Sequence, residues 1–120
     1  MSYISHNIND VFSKLAGAYA PNTLKSYYAD ARSFVDWCNQ RKVQPFPLTS
    51  ETLCYFIESL QTNYSYSSIR RRISALRRLN KLLGFEDQTH TEEVYIAIRR
   101  LKRTKCLEQR QAAGINHDIL

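Results

Sequence analysis

Residues 64–84 read YSYSSIRRRISALRRLNKLLG, a stretch with six cationic side chains and no acidic one. Counted from Ile69 at about 100° per residue, Ile69, Ile73, Leu76, Asn80 and Leu83 fall on one stripe, with Leu79 and Arg72 on its flank. That spacing predicts a helix with one face in a core. The far side gathers Ser67, Arg70, Arg71, Ser74, Arg78 and Lys81, with no carboxylate three or four positions away to neutralise the charge. Such a face suits a polyanion. Ser65 is the expected N-cap, and Gly84 follows the last apolar residue as a stop signal. The same geometry gives the three consecutive arginines different work. Arg70 and Arg71 lie about 100° and 200° from Ile69 and point outward with no structural duty, whereas Arg72, about 300° round, lays its aliphatic stem over apolar surface.

Upstream of this stretch, a short polar turn over residues 62–64 separates it from SETLCYFIESLQ, a third helix capped by Thr49, with Glu51 in its first turn and Leu53, Phe56, Ile57 and Leu60 inward. Pro45 and Pro47 make residues 43–48 a connector that no helix can cross. The second helix, APNTLKSYYADARSFVDWCNQRK, starts at Pro21 behind Ala20, a poor cap. Its apolar stripe is Leu24, Tyr28, Ala31, Val35 and Cys38, flanked by Tyr27 and Phe34. Lys25, Ser26, Ala29, Arg32 and Ser33 form a second cationic or small face. Ile8, Val11, Phe12, Leu15 and Tyr19 predict a short first helix.

Downstream, the polar loop FEDQTH leads to Thr89-His90-Thr91-Glu92, which has the capping-box spacing and predicts the start of a fifth helix. Val94, Ala97, Ile98 and Leu101 face its core side. Arg99, Arg100, Lys102, Arg103 and Lys105 gather toward its expected C-terminal end, where cations favour the helix dipole. The period fades from Leu107, so residues 1–106 are read as the domain and 107–120 as a linker or the beginning of a further domain.

At 120 residues and 43% hydrophobic, the chain supports one all-α domain, a compact bundle of four to five helices. The net charge of +6 is one-sided. Residues 1–64 carry five cations and five carboxylates, while residues 65–120 carry twelve cations against six carboxylates. A basic half of this kind usually points to nucleic acid, less often to an acidic membrane surface or an acidic partner. Cys38, Cys54 and Cys106 are odd in number and widely spaced, which fits free, buried thiols in a reducing cytoplasm. No run of about 18 apolar residues predicts a membrane span, and no secretory signal is recognisable at the N-terminus. The scattered His and Cys predict no metal site and no cofactor, and no nucleophile stands beside a base. Among the tyrosines, Tyr27, Tyr28 and Tyr55 sit at or near core stripes, leaving Tyr64 and Tyr66 for solvent or phosphate.

The ordered segments PNTLKSYYADARSFVDWC, FPLTSETLCYFIESL, SYSSIRRRISALRRLNKLLGF and VYIAIRRLKR together resemble the N-terminal core-binding, SAM-like domain of tyrosine recombinases, the phage integrase family. The resemblance implies a helical bundle clamping one face of duplex DNA while a separate C-terminal catalytic domain grips the other. It turns Thr23, Lys25, Ser26, Ala29 and Arg32 of the second helix toward DNA. From the fourth it turns Ser67, Ser68, Arg70, Arg71 and Ser74, and the basic wheel adds Arg78 and Lys81. It further implies a homotetramer on DNA, with Ile8, Val11, Phe12 and Leu15 of the first helix, and the fifth helix, against a neighbouring protomer. The family's His-x-x-Arg pair is missing: the histidines read His6-Asn-Ile-Asn, His90-Thr-Glu-Glu and His117-Asp-Ile-Leu. No catalysis is therefore expected of this chain alone. Two other classes fit the same residues. One is a helix-turn-helix regulator that reads DNA with the fourth helix, and the other a helical interaction domain whose basic half takes an acidic partner.

Overall fold

Several helix ends fall where a side chain or a turn closes the free backbone groups. The computed structural model describes residues 10 and 12–119, with side chains through 109. Residues 10 and 12–15 are helical and are labelled α1; Ile8 and Val11 lie outside the described residues. Four longer helices follow: α2 (Pro21–Arg41), α3 (Ser50–Leu60), α4 (Tyr66–Leu82) and α5 (Glu92–Ile119). Pro21 opens α2 without a side-chain cap from Ala20, as the sequence predicts. Thr49 caps α3 by accepting from the Thr52 N–H at 3.2 Å, and Ser65 caps α4 by accepting from the Ser68 N–H at 3.1 Å. At the other end of α4, Gly84 takes a positive φ of 96°. Its N–H donates to the Lys81 carbonyl and that of Phe85 to the Asn80 carbonyl, a Schellman closure.

Helix α2 lies along α4 and α3 along α5, and α4 also touches both α3 and α5. One core joins them, with Phe34 at its centre. The Phe34 ring meets Phe56 of α3 edge-on at 4.9 Å and Phe46 of the connector at 5.8 Å. Ile69, Ile73, Leu76 and Leu79 of α4 and Val94, Ile98 and Leu101 of α5 complete it. Phe12 of α1 packs edge-on against Tyr28 of α2 at 5.3 Å and leans on this core.

Asn80 belongs to the core stripe for a polar reason. Fully buried, it accepts from the Leu48 N–H at 2.9 Å and donates to the Glu86 carbonyl at 3.2 Å. One side chain thereby ties the proline connector and the loop before α5 to the middle of the basic helix.

The structure corrects several expectations. Ala75 is buried on α4, on the side of the wheel that also carries Arg71 and Arg72, because α2 packs there; Leu83 is only half-buried. The tyrosines exchange roles. Tyr55 is 58% exposed and Tyr28 38%, whereas Tyr64 and Tyr66 are half-buried against the core. Thr91, not Thr89, precedes the first residue of α5, and its hydroxyl accepts from the Val94 N–H at 3.5 Å. All three thiols are free, but only Cys38 is buried, where desolvation pushes its pKa up to about 12; Cys54 is half-buried and Cys106 exposed. Helix α5 continues through residues 107–119, so Arg99 to Lys105 occupy its middle rather than its end.

Replacing Asn80 by Ala strands the Leu48 N–H in the core and frees both connections. Urea unfolding should show a loss of about 2–4 kcal/mol, and a variant within about 0.5 kcal/mol of the parent would contradict the tie.

Candidate nucleic-acid interface

Helix α4 presents Ser67, Arg70, Ser74, Arg78 and Lys81 to solvent along one side, at the i, i+3 and i+4 spacings that stack residues on a helix face. The row from Arg70 to Lys81 is about 16 Å long at the helical rise. Among the described residues Arg70, Arg78 and Lys81 have no ion-pair or hydrogen-bond partner. Ser68, expected on this face, is half-buried on the side that turns toward α2. On α2, Lys25, Ser26 and Ala29 are exposed, while Thr23 and Arg32 are half-buried, Arg32 within 3.7 Å of Asp36 one turn on.

The other three cations of α4 are engaged inside the domain. Arg71 pairs through Nη1 with Asp30 of α2, whose carboxylate is only 3% exposed, while the arginine side chain remains 48% exposed. The wheel placed Arg71 outward and free of structural duty. It is outward, but it also neutralises a buried charge, so that part of the expectation fails. Arg72 fits its predicted place: Nη1 donates to Ser33 at 3.3 Å, and the guanidinium lies over the Tyr64 ring at 4.4 Å. Arg77 reaches the far side of the helix, donating from Nε to the buried Thr89 hydroxyl at 2.8 Å and from Nη2 to the Thr89 carbonyl at 3.1 Å. Thr89 in turn donates through its hydroxyl and its N–H to Asp87, which also meets His90 at 2.8 Å. Burial alone would raise the Asp87 carboxyl. The two bonds from Thr89 and the nearby charges of His90 and Arg77 outweigh it and hold the group below the ordinary carboxylate value.

Asp30 and Arg77 are structural groups that lie outside the apolar stripes, and both carry a sequence signal. Asp30 follows Tyr27 by three and precedes Phe34 by four, so it must share their inward side. Arg77 stands four after Ile73 and three before Asn80. The result is a division of labour along one helix. Arg71 and Arg72 fix α4 against α2, Arg77 holds the approach to α5, and Arg70, Arg78 and Lys81 remain exposed.

This arrangement defines an all-α domain of SAM-like type with exposed cations on two packed helices. The chain belongs to the phage integrase N-terminal SAM-like domain family, whose model matches residues 12–86. It is also 29% identical over 110 residues to an integrase/recombinase xerD homolog from Selenomonas ruminantium. That alignment covers 89% of this chain and 32% of the relative, so the chain spans about a third of the length of the curated relative it matches.

Arg71→Ala leaves the buried Asp30 carboxylate without its partner, which should cost about 2 kcal/mol in urea unfolding, discounted for the half-exposed arginine. Adding Asp30→Asn to Arg71→Ala should recover at least half of that loss. A double variant no more stable than the sum of the two single ones would show that the pair is not coupled.

Proposed function

We propose that this chain is the DNA-gripping N-terminal part of a site-specific tyrosine recombinase, used in DNA integration or recombination, and that the α2/α4 face is its contact with duplex DNA. The observation that carries the reading is the exposed row Arg70, Ser74, Arg78 and Lys81, whose cations have no partner among the described residues, on a helix packed against the one that exposes Lys25, Ser26 and Ala29. Guanidinium and ammonium groups give phosphate contacts, while short hydroxyl and methyl side chains let two helices approach a groove closely. Membership in the integrase family supports the same reading, as does the likeness to a relative named as an integrase/recombinase.

On this account phosphodiester chemistry lies in a separate C-terminal catalytic domain, and residues 107–120 lead toward it. The functional protein assembles as a homotetramer on DNA, with the α1 side chains Phe12 and Leu15 turned to a neighbouring protomer. The helix-turn-helix reading has less support, because the first turn of α4 is occupied: Tyr66 and Ser68 are half-buried there.

Fluorescence anisotropy with duplex DNA across a salt series tests the proposal. Affinity should fall steeply with salt. Arg70→Ala and Arg78→Ala should each lower the logarithmic salt slope by about one and leave the urea midpoint unchanged. Binding that does not respond to salt, or alanine variants that bind like the parent, would remove the α2/α4 face as the contact.

A further inference from the structure

A second group of cations has no assigned work. Arg99, Arg100, Lys102 and Arg103 are all exposed on α5, and among the described residues none has an ion-pair or hydrogen-bond partner. The dipole explanation suggested by the sequence does not survive the structure. Helix α5 ends at Ile119, so Arg103 lies 16 residues, about 24 Å, before that end, and the dipole's influence is confined to the last turn. Lys105 does find a carboxylate, Glu108 at 3.6 Å, but the other four do not. Their own carboxylates, Glu92 and Glu93, stand in the first turn of the helix, where the dipole already favours them. Arg99 and Arg103 are separated by one turn, as are Arg99 and Lys102, and Arg100 and Arg103. Each of these like-charged pairs weakens an isolated helix. A cluster that repels itself on both flanks is stabilised by a dense external negative charge.

The position of the cluster separates it from the α2/α4 face. Ile69, Ile73 and Leu76 of α4 and Val94, Ile98 and Leu101 of α5 enter the same core. Each helix carries its free cations on the side away from that core, so the two sets flank it rather than merging. We infer that Arg99, Arg100, Lys102 and Arg103 form a second phosphate-binding surface, which takes a second duplex segment while α2 and α4 hold the first. Three of the four are arginines, whose planar fork matches phosphate oxygens. Duplex DNA supplies about one negative charge per 1.7 Å of axis, a density that suits four cations within about 6 Å of helix. The inference rests on the reading of the α2/α4 face only in that the domain then bridges two duplexes.

A bead-bound duplex and a fluorescent duplex of unrelated sequence, mixed with the 120-residue chain at low salt, provide the test. The parent should retain the fluorescent duplex on the beads. Arg99→Glu with Arg103→Glu should still bind one duplex in anisotropy but lose about tenfold or more of the retained signal. Arg70→Ala with Arg78→Ala should keep weaker, salt-sensitive duplex binding through α5 and also fail to bridge. Circular dichroism melts confirm that both variants fold. If the α4 variant binds no duplex and the α5 variant binds and bridges like the parent, the second surface is overturned and the α2/α4 proposal stands. If binding persists in the α4 variant and vanishes in the α5 variant, the α5 surface is supported and the α2/α4 assignment falls. Absence of duplex binding by the parent overturns both. Displacement of duplex from the α4 variant by polyglutamate as readily as by competitor duplex, at equal charge concentration, would assign the α5 surface to an acidic protein and overturn the inference.

Discussion

A carboxylate cannot stay charged in a core without a partner, and Asp30 is 3% exposed in the middle of α2. Its partner comes from the other basic helix. Arg71 extends across the contact between α2 and α4, and next to it Arg72 reaches Ser33 one turn further along α2. These two bridges fix the register in which the helices lie side by side, and Ala75, small and buried on the same side of α4, permits their close approach. The cationic face follows from that register, because the outward side of each helix is set once the inward side is pinned. A slide of either helix by one turn would break both bridges. A residue triplet that looks like plain positive charge therefore combines a fastener with a contact surface.

The other side of α4 is held differently. Asn80 binds the connector and the loop that follows the helix, and Arg77 binds Thr89 within that loop. The basic helix is thus the common support of the fold: α2 attaches to it through ionic and hydroxyl groups, and the entries to α3 and α5 through buried polar groups. Fixed helices suit a contact surface, since side chains carried on a rigid backbone lose less freedom when they meet phosphate.

Most of this was legible in the sequence where the physics is local. Helix starts at Pro21, Thr49 and Ser65, the stop at Gly84, and the inward residues of α3 each depend on a few neighbouring residues, and each is found as expected. The outward row of α4 was legible for the same reason. What the wheel could not give were partners from other helices. Asp30 was invisible as the partner of Arg71 because the two stand 41 residues apart, although its place between Tyr27 and Phe34 already put it inward. Thr89 has the spacing of a capping box, but its hydroxyl accepts from Arg77 and donates to Asp87, and Thr91 takes the helix start. Tyr64 looked available until Arg72 was seen lying over its ring. The end of α5 was misjudged because a helix without a clear apolar stripe gives no periodic signal.

The central claim is that the exposed sides of α2 and α4 hold the first duplex. Amide chemical shifts of the isotopically labelled chain, followed by heteronuclear NMR during titration with a short duplex at low salt, test it residue by residue. The account predicts that the largest changes fall at Lys25, Ser26, Ala29, Ser67, Arg70, Ser74 and Arg78, with Leu53, Ile57 and Leu60 of α3 nearly still. Changes centred on the exposed side of α3, around Tyr55 and Glu58, with the α2/α4 row unmoved, would contradict it.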